Sequence, residues 1–158
     1  MNLNIREIQA SDYPLIKEFT FHSMDAPPDE EPYDRSFLDH PVVVQYYENF
    51  GKQKGDLAVV AELEGEIIGI AWMRIMAIYG ETDPNSPVLC MAVLPDHRSK
   101  GIGTKLLDAI LELTQKSGYK QSSLTAHVKK PVQNLYKRVG YEVVKLTGQE
   151  LLMVKKFD

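Results

Sequence analysis

Residues 93–104 of the chain read VLPDHRSKGIGT and join two segments of opposite character. Before them, 88–94 is a short apolar run, partly β-branched and bounded by prolines, as a buried strand is. After them, 101–117 has the apolar stripe of an amphipathic helix, with Gly118 at the C-terminal cap position. The stripe comprises Ile102, Leu106, Ile110 and Leu113, with Leu107 and Leu111 beside it. The stretch is therefore predicted to be a turn from a buried strand into a long helix.

Such a turn has the properties of a phosphate site. The first N–H groups of a helix have no intrahelical partner and carry partial positive charge, so they hold anions. Arg98 and Lys100 add full charges, while Gly101 and Gly103 let the backbone approach a ligand closely. Thr104 can donate its hydroxyl to a phosphate oxygen. The segment thus predicts a pyrophosphate site.

Two common phosphate motifs do not fit this turn. The Walker pattern needs a glycine directly before its lysine, and Thr104 precedes Lys105. A dinucleotide fingerprint that starts at Gly101 needs a third glycine where Leu106 stands. Both classes of nucleotide-binding protein are excluded.

A second motif lies downstream, where residues 135–141 read LYKRVGY. Together, the R-x-x-G-x-G turn after a V-x-P strand end and this L-Y-x-x-x-G-[FY] helix end closely resemble the GNAT family of N-acyltransferases. The resemblance covers 88–144 clearly, and the pattern before residue 88 is compatible with it. It implies a mixed, mostly antiparallel twisted sheet with helices on both faces and a splayed central strand that binds acetyl-CoA.

The resemblance also implies roles for individual residues. The pantetheine arm would pair with the backbone of the fourth strand at Met91, Ala92 and Val93. The pyrophosphate would lie over Arg98, Ser99, Lys100, Gly101, Ile102, Gly103 and Thr104. Tyr136 would be the acid that protonates the departing thiolate. Many members have asparagine seven residues before that tyrosine, but this chain has Lys129 there, and the nearby Asn134 is out of register, so that role is not transferred.

The sequence does not single out a general base. His127 ends a predicted strand, where alternation leaves open whether its side chain faces the acceptor cleft or a helix. Glu81 and Asp83 precede the fourth strand, and they fit a proton acceptor and a polar turn equally well. Cys90, inside an apolar strand, is interpreted as a small core residue and not as a nucleophile.

The remaining pattern predicts an α+β fold in a single domain, 1–158. Ser11 is predicted to cap a first helix, and more helix is expected over 36–50 with Pro41 ending or kinking it. Glu64 and Gly65 are expected to turn an antiparallel hairpin. Strands are predicted at 3–8, 56–63, 66–78, 88–94, 121–128, 141–145 and 150–154, and a short helix at 131–139.

Composition narrows the class of protein. The chain has 158 residues, a formal net charge of −4 and one cysteine, which excludes a disulfide framework within the chain. Neither a basic face, a metal-ligand cluster nor a membrane-spanning apolar run is evident, so we expect no nucleic acid partner, no metal and no membrane. A cytoplasmic location is expected. The acidic segment 25–34, with Asp25, Asp29, Glu30, Glu31 and Asp34, favours a cationic acceptor.

These observations predict an N-acetyltransferase that moves an acetyl group from acetyl-CoA to a primary amine by direct attack. The alternative is a non-catalytic acyl-CoA-binding sensor or interaction module on the same fold. The partner would be a small-molecule or peptide amine. A homodimer is compatible with the sequence, which does not fix the oligomeric state.

Overall fold

The computed structural model describes residues 2–24, 26–27 and 29–158, and these build an open seven-stranded sheet with helices on both faces. The strands are β1 (Leu3–Glu7), β2 (Leu57–Leu63), β3 (Glu66–Arg74), β4 (Val88–Val93), β5 (Gln121–His127), β6 (Glu142–Thr147) and β7 (Glu150–Lys156). The helices are α1 (Leu15–Ser23), α2 (Pro41–Val44), α3 (Ile102–Lys116) and α4 (Val132–Arg138). The predicted α+β class is confirmed.

The sheet has the order β1-β2-β3-β4-β5-β7-β6, and the β4/β5 pair is parallel while its other pairs are antiparallel. The predicted hairpin joins β2 to β3 through Glu64 and Gly65, whose φ angles are +52° and +84°. A parallel pair needs a crossover, and α3 supplies it between β4 and β5. β4 and β5 are in register only at Val88 and Ser123 and then separate, which confirms the splayed central strand.

Each face of the sheet has its own apolar core. On the α3 face, Leu106 and Ile110 pack with strand residues such as Leu124. On the α1 face, Ile16 and Phe19 pack with Trp72. An added Cβ at Gly69 would lie 2.8 Å from Leu106 Cδ1, so this glycine permits the close approach of α3 to β3.

The structure corrects two helix boundaries. Ser11 does not cap α1; it lies in a 3-10 turn, Ala10–Asp12, where the Asp12 carboxylate accepts the Gln9 N–H at 3.0 Å. The helix begins after Pro14, whose fixed φ suits a helix start.

Pro41 begins α2 and does not end a helix. It occupies the first turn, where no N–H is needed, and His40 Nδ1 accepts the Val42 N–H at 3.2 Å. This helix is a single turn, so most of the helix expected over 36–50 is replaced by 3-10 and turn structure. β3 also ends at Arg74 and not at Ile78.

A buried ion pair explains where β3 ends. Arg74 is 0% exposed, and its Nε donates to Asp56 Oδ1 at 2.9 Å. Its Nη1 donates to the carbonyls of Gln45 and Glu48 at 3.0 and 2.7 Å. Asp56 Oδ2 also accepts the Gly51 N–H at 2.9 Å. The pair thus fixes the irregular segment 45–56 against the sheet.

None of the helices in the described part of the chain is both long enough and apolar enough to cross a membrane.

Candidate active site

A cleft of about 790 Å³ opens where β4 and β5 separate. It is lined by the end of β4, the start of α3, α4 on the α3 face, and parts of 20–46 on the α1 face. The predicted acetyl-CoA residues in its lining are Met91, Ala92, Val93, Arg98, Ser99, Gly101, Ile102, Gly103 and Thr104. Lys100 is exposed outside the lining.

The register of β4 decides which of its backbone groups face the cleft. The Leu94 N–H donates to the Ile68 carbonyl at 2.8 Å, which makes this a hydrogen-bonded pair. Such pairs alternate along an antiparallel ladder, so the polar groups of Ala92 bond to β3 and those of Met91 and Val93 point away. Met91 can therefore pair with a ligand along the splayed edge through its N–H and its carbonyl. Val93 can do so through its N–H, because its carbonyl accepts from Arg98 Nε at 2.8 Å, whereas Ala92 offers only its side chain.

The turn after β4 directs the start of α3 at the same cleft. Ser99 and Gly101 have φ angles of +62° and +82°. The first bond of the helix runs from the Lys105 N–H to the Gly101 carbonyl, so the N–H groups before it have no intrahelical partner. At Gly103 an added Cβ would lie 3.6 Å from Met91 Cε, an ordinary contact. The helix tolerates a side chain there, but that side chain would enter the lining of the cleft.

Arg98 is built into this turn. Its Nε donates to the Val93 carbonyl at 2.8 Å and its Nη2 to the His22 carbonyl at 3.0 Å. The guanidinium thus ties the end of β4 to the end of α1. The sequence predicted only its charge, because these two carbonyls meet through tertiary structure.

Tyr136 lies on α4 and lines the cleft from the α3 face. Its side chain is 8% exposed and packs edge-on against Tyr141 at 6.0 Å between ring centroids. Burial, and then the nearby Cys90, raise the pKa of its phenol. The phenol of Tyr136 therefore stays protonated in the lining of the cleft.

His127 faces the α1 side of the cleft, which settles the question left by strand alternation. Its neighbours Leu124 and Ala126 point into the α3-face core. Nδ1 accepts the Lys129 N–H at 3.1 Å, so the proton lies on Nε2, which is 2.8 Å from Gln149 Oε1. Both ring nitrogens are engaged, so proton abstraction by His127 would first require one of these bonds to break.

The other side chains considered for proton or nucleophile chemistry are placed differently. Asp83 is exposed, accepts the Asn85 N–H at 2.9 Å and does not line the cleft. Glu81 is exposed in a turn, bridged to Ile78, and does not line the cleft. Cys90 lines it but is buried, and desolvation raises the pKa of its thiol. A protonated thiol is a poor nucleophile.

The acidic segment is tied to the loop after β5. Lys129 Nζ lies 2.7 Å from Asp29 Oδ2, and the pair raises the pKa of Lys129 and lowers that of Asp29. His127 Nε2 lies 4.0 Å from Glu30 Oε2. Asp25 lies outside the described residues. Lys129, which stands where the family often has asparagine, thus takes part in an exposed link across the mouth of the cleft.

The sequence analysis did not single out several lining residues, including Glu150 and Tyr46. Glu150 begins β7 opposite His127, and Tyr46 follows α2. Their proximity depends on the β5/β7 register and on the irregular segment 45–56, and no local pattern indicates either. Among the described residues, no group of three or more metal-ligating side chains is assembled.

The chain is an α+β domain with an open mixed sheet. Its splayed strand ends beside a free helix N-terminus, an arrangement suited to binding a ligand. A family model described as an acetyltransferase (GNAT) domain matches residues 54–143. The chain belongs to the GNAT family.

Two curated relatives match part of the chain. A probable N-acetyltransferase camello of Xenopus tropicalis is 30% identical over 86 residues, which are 52% of this chain and 37% of that protein. An N-alpha-acetyltransferase of Sulfurisphaera tokodaii is 32% identical over 96 residues, which are 55% of this chain and 57% of that protein. The matches thus span less than two thirds of either relative.

Solved structures match nearly the whole chain. The PaiA N-acetyltransferase of Thermoplasma acidophilum, in complex with coenzyme A, has a TM-score of 0.72 at 19% identity and covers 99% of this chain and 100% of its own. The putative acetyltransferase YncA of Salmonella typhimurium, with acetyl-CoA, has a TM-score of 0.70 at 19% identity, covering 100% and 95%. At these identities the likeness shows the fold.

Proposed function

We propose that this protein is an acetyl-CoA-dependent N-acetyltransferase that acts on a primary amine by direct attack. The observation that carries the proposal is the edge of β4 that does not pair with β5, with the backbone groups of Met91 and the N–H of Val93 facing the cleft, beside the free N-terminus of α3. Family membership supports it, as does the CoA or acetyl-CoA in the related structures.

The chain's groups fit the two polar parts of acetyl-CoA. The N–H groups of 102–104 and the Thr104 hydroxyl suit the pyrophosphate, since they are donors at the positive end of a helix. The outward-facing groups of Met91 and Val93 suit the amides of the pantetheine arm, which would extend β4 as a strand does. The thioester then lies in the gap between β4 and β5.

The reaction follows from what lines this gap. The neutral amine nitrogen forms a bond to the thioester carbonyl carbon, and an N–H of β4 stabilises the developing oxyanion. The carbon–sulfur bond then breaks, and Tyr136 gives its proton to the thiolate. The proton that the amine loses leaves to water or to a base on the α1 face. Tyr136 lies on the α3 face with α4, and the acceptor enters from the opposite face.

The acceptor is proposed to be a cationic amine, received on the α1 face. Segment 29–34 contributes negative potential beside the cleft, although Asp29 already pairs with Lys129. Exposed Glu31 and Asp34 provide charge for steering, which salt would screen.

Binding of acetyl-CoA and its placement are tested by one substitution. In Gly103→Val, a side chain enters the lining where the pyrophosphate is proposed, and loss of one charge-assisted hydrogen bond costs about 1.5–3 kcal/mol. Affinity for acetyl-CoA should therefore fall at least about tenfold in calorimetric titration. Asp108→Val places the same side chain at an exposed position of α3 outside the cleft, with little change in helix propensity, and should bind normally.

Three results would contradict parts of the proposal. Unchanged affinity in a folded Gly103→Val protein would overturn the pyrophosphate placement. If acetyl-CoA gave the wild-type protein no thermal stabilisation, the function itself would be wrong, because a ligand that binds only the native state must stabilise it. Binding without thiol release in the presence of amino acids, polyamines, aminoglycosides or peptide N-termini would indicate the non-catalytic sensor.

A further inference from the structure

The cleft is lined by charged residues of both signs. The described lysines and arginines in its lining are Arg98, at the turn before α3, Lys130, before α4, and Arg138, at the end of α4. Among the described lining residues, Glu150 is the one carboxylate, and it lies on the α1 face. None of the roles proposed above uses it.

The register fixes where Glu150 lies. It pairs with His127 across β5 and β7, so the two side chains share the α1 face, whereas Leu151 points into the α3-face core. Adjacent strands are about 4.8 Å apart, and β7 lies beyond β5 as seen from β4. The thioester is proposed to lie in the gap between β4 and β5. Glu150 therefore lies beside this gap, on the strand that follows β5 in the sheet.

Two phenols lie near Glu150. The Tyr79 hydroxyl donates to the backbone carbonyl of Glu150 at 3.2 Å. Burial raises the pKa of the Tyr46 phenol, followed by Cys90 and then Glu150, and burial and then Glu150 raise the pKa of the Tyr79 phenol, so both stay neutral. Tyr46 lines the same cleft as Glu150 and Thr125 of β5.

A carboxylate beside aromatic rings favours a cation. The nearby positive groups do not neutralise it by an ion pair: His127 engages Lys129 and Gln149, and Lys145 Nζ lies 5.9 Å from the Tyr79 ring centroid. A carboxylate beside the attacking nitrogen would favour its protonated, non-nucleophilic form, so Glu150 is better suited to a second positive group.

We propose that Glu150 binds a second positively charged group of the acceptor, separate from the nitrogen that attacks the thioester. The acceptors preferred by this site are therefore amines with two cationic groups joined by a short apolar linker that passes Tyr46. This inference rests on the proposed N-acetyltransferase function. It assigns to Glu150 the preference of the enzyme among acceptor amines.

The test compares acceptors that differ only in the second charge. Acetylation of diaminobutane and butylamine, and of lysinamide and norleucinamide, is measured at saturating acetyl-CoA. In the wild type the dicationic member of each pair should have the lower KM. Glu150→Gln should raise that KM about tenfold or more and remove the preference, with kcat and the acetyl-CoA KM little changed. Glu150→Asp should retain part of the preference, and Glu142→Gln, an exposed carboxylate on β6, should retain all of it.

Other results would overturn the inference. An unchanged KM for the dicationic amines in Glu150→Gln would do so. A loss of kcat for both members of each pair, with a shifted pH profile, would instead make Glu150 a group that acts on the attacking nitrogen. Calorimetric binding of diaminobutane to the CoA complex separates this inference from the proposed function. Binding that needs Glu150 but gives no turnover would support the cation site and contradict the proposed N-acetyltransferase function. Turnover that does not depend on Glu150 would support the proposed function and contradict the cation site.

Discussion

The two ends of β4 differ in how many neighbouring strands they pair with. At Val88 the strand pairs with β3 and with β5, next to the buried Arg74–Asp56 ion pair. At Met91 and Val93 it pairs with β3 alone, and the other edge faces the cleft. Buried backbone groups are normally paired, so an open edge is tolerated only where water or a ligand can reach it. One strand thus contributes stability at its first end and a binding edge at its second.

The largest effect is expected at the closed end. Asp56→Asn removes the charge that compensates Arg74, and removing one partner of a buried ion pair typically costs about 3–5 kcal/mol. The free energy of unfolding, measured with urea, should fall by about that amount. Glu112→Gln, which breaks the exposed Glu112–Lys116 pair, should leave it nearly unchanged. Similar values for the two variants would show that the closed end does not depend on this pair.

The second largest effect is expected at the end of β4 that faces the cleft. Two neighbouring tyrosines, Tyr136 and Tyr141, provide a variant and its matched control. Tyr136→Phe removes the proposed acid. Positioned acid catalysis contributes about 10²–10⁴-fold, and water can replace part of it, so the kcat of this variant should fall at least about tenfold. Its affinity for acetyl-CoA should change little.

Tyr141→Phe supplies the control for that comparison. The Tyr141 hydroxyl donates to Ser122 Oγ at 2.8 Å inside the core, so its loss should cost about 1 kcal/mol of stability and leave kcat intact. If Tyr136→Phe kept near-normal kcat, Tyr136 would have the packing role alone.

The smallest effect is expected at the exposed link across the mouth of the cleft. Lys129→Gln breaks the contact with Asp29, but both side chains are largely in water, where such pairs contribute little. The thermal midpoint should stay within replicate error. A clear decrease would mean that the link orders the acidic segment and belongs with the stabilising contacts.

Sequence reasoning succeeded where the pattern is local. The β-rich runs 56–63 and 66–78 and the turn at Glu64 and Gly65 predicted the hairpin without help from the rest of the chain, although its second strand ends at Arg74. It failed at Ser11 and Pro41, because each residue type suits more than one position near a helix start. Pro14 and the packing around His40 decided between those positions.

The sequence by itself indicated the family, through the two motifs at 93–104 and 135–141. It also determined the turn into α3, because the apolar run, the glycines and the helical stripe act within about thirty consecutive residues. Tertiary structure alone decided how those parts are used. It directed Met91 and Val93 to the cleft and Ala92 to β3, joined Arg98 to the carbonyls of β4 and α1, and engaged both nitrogens of His127. It also brought Glu150 to the cleft. The physical reason is that strand register and the divergence of β4 from β5 depend on contacts between residues far apart in the chain, which no local pattern specifies.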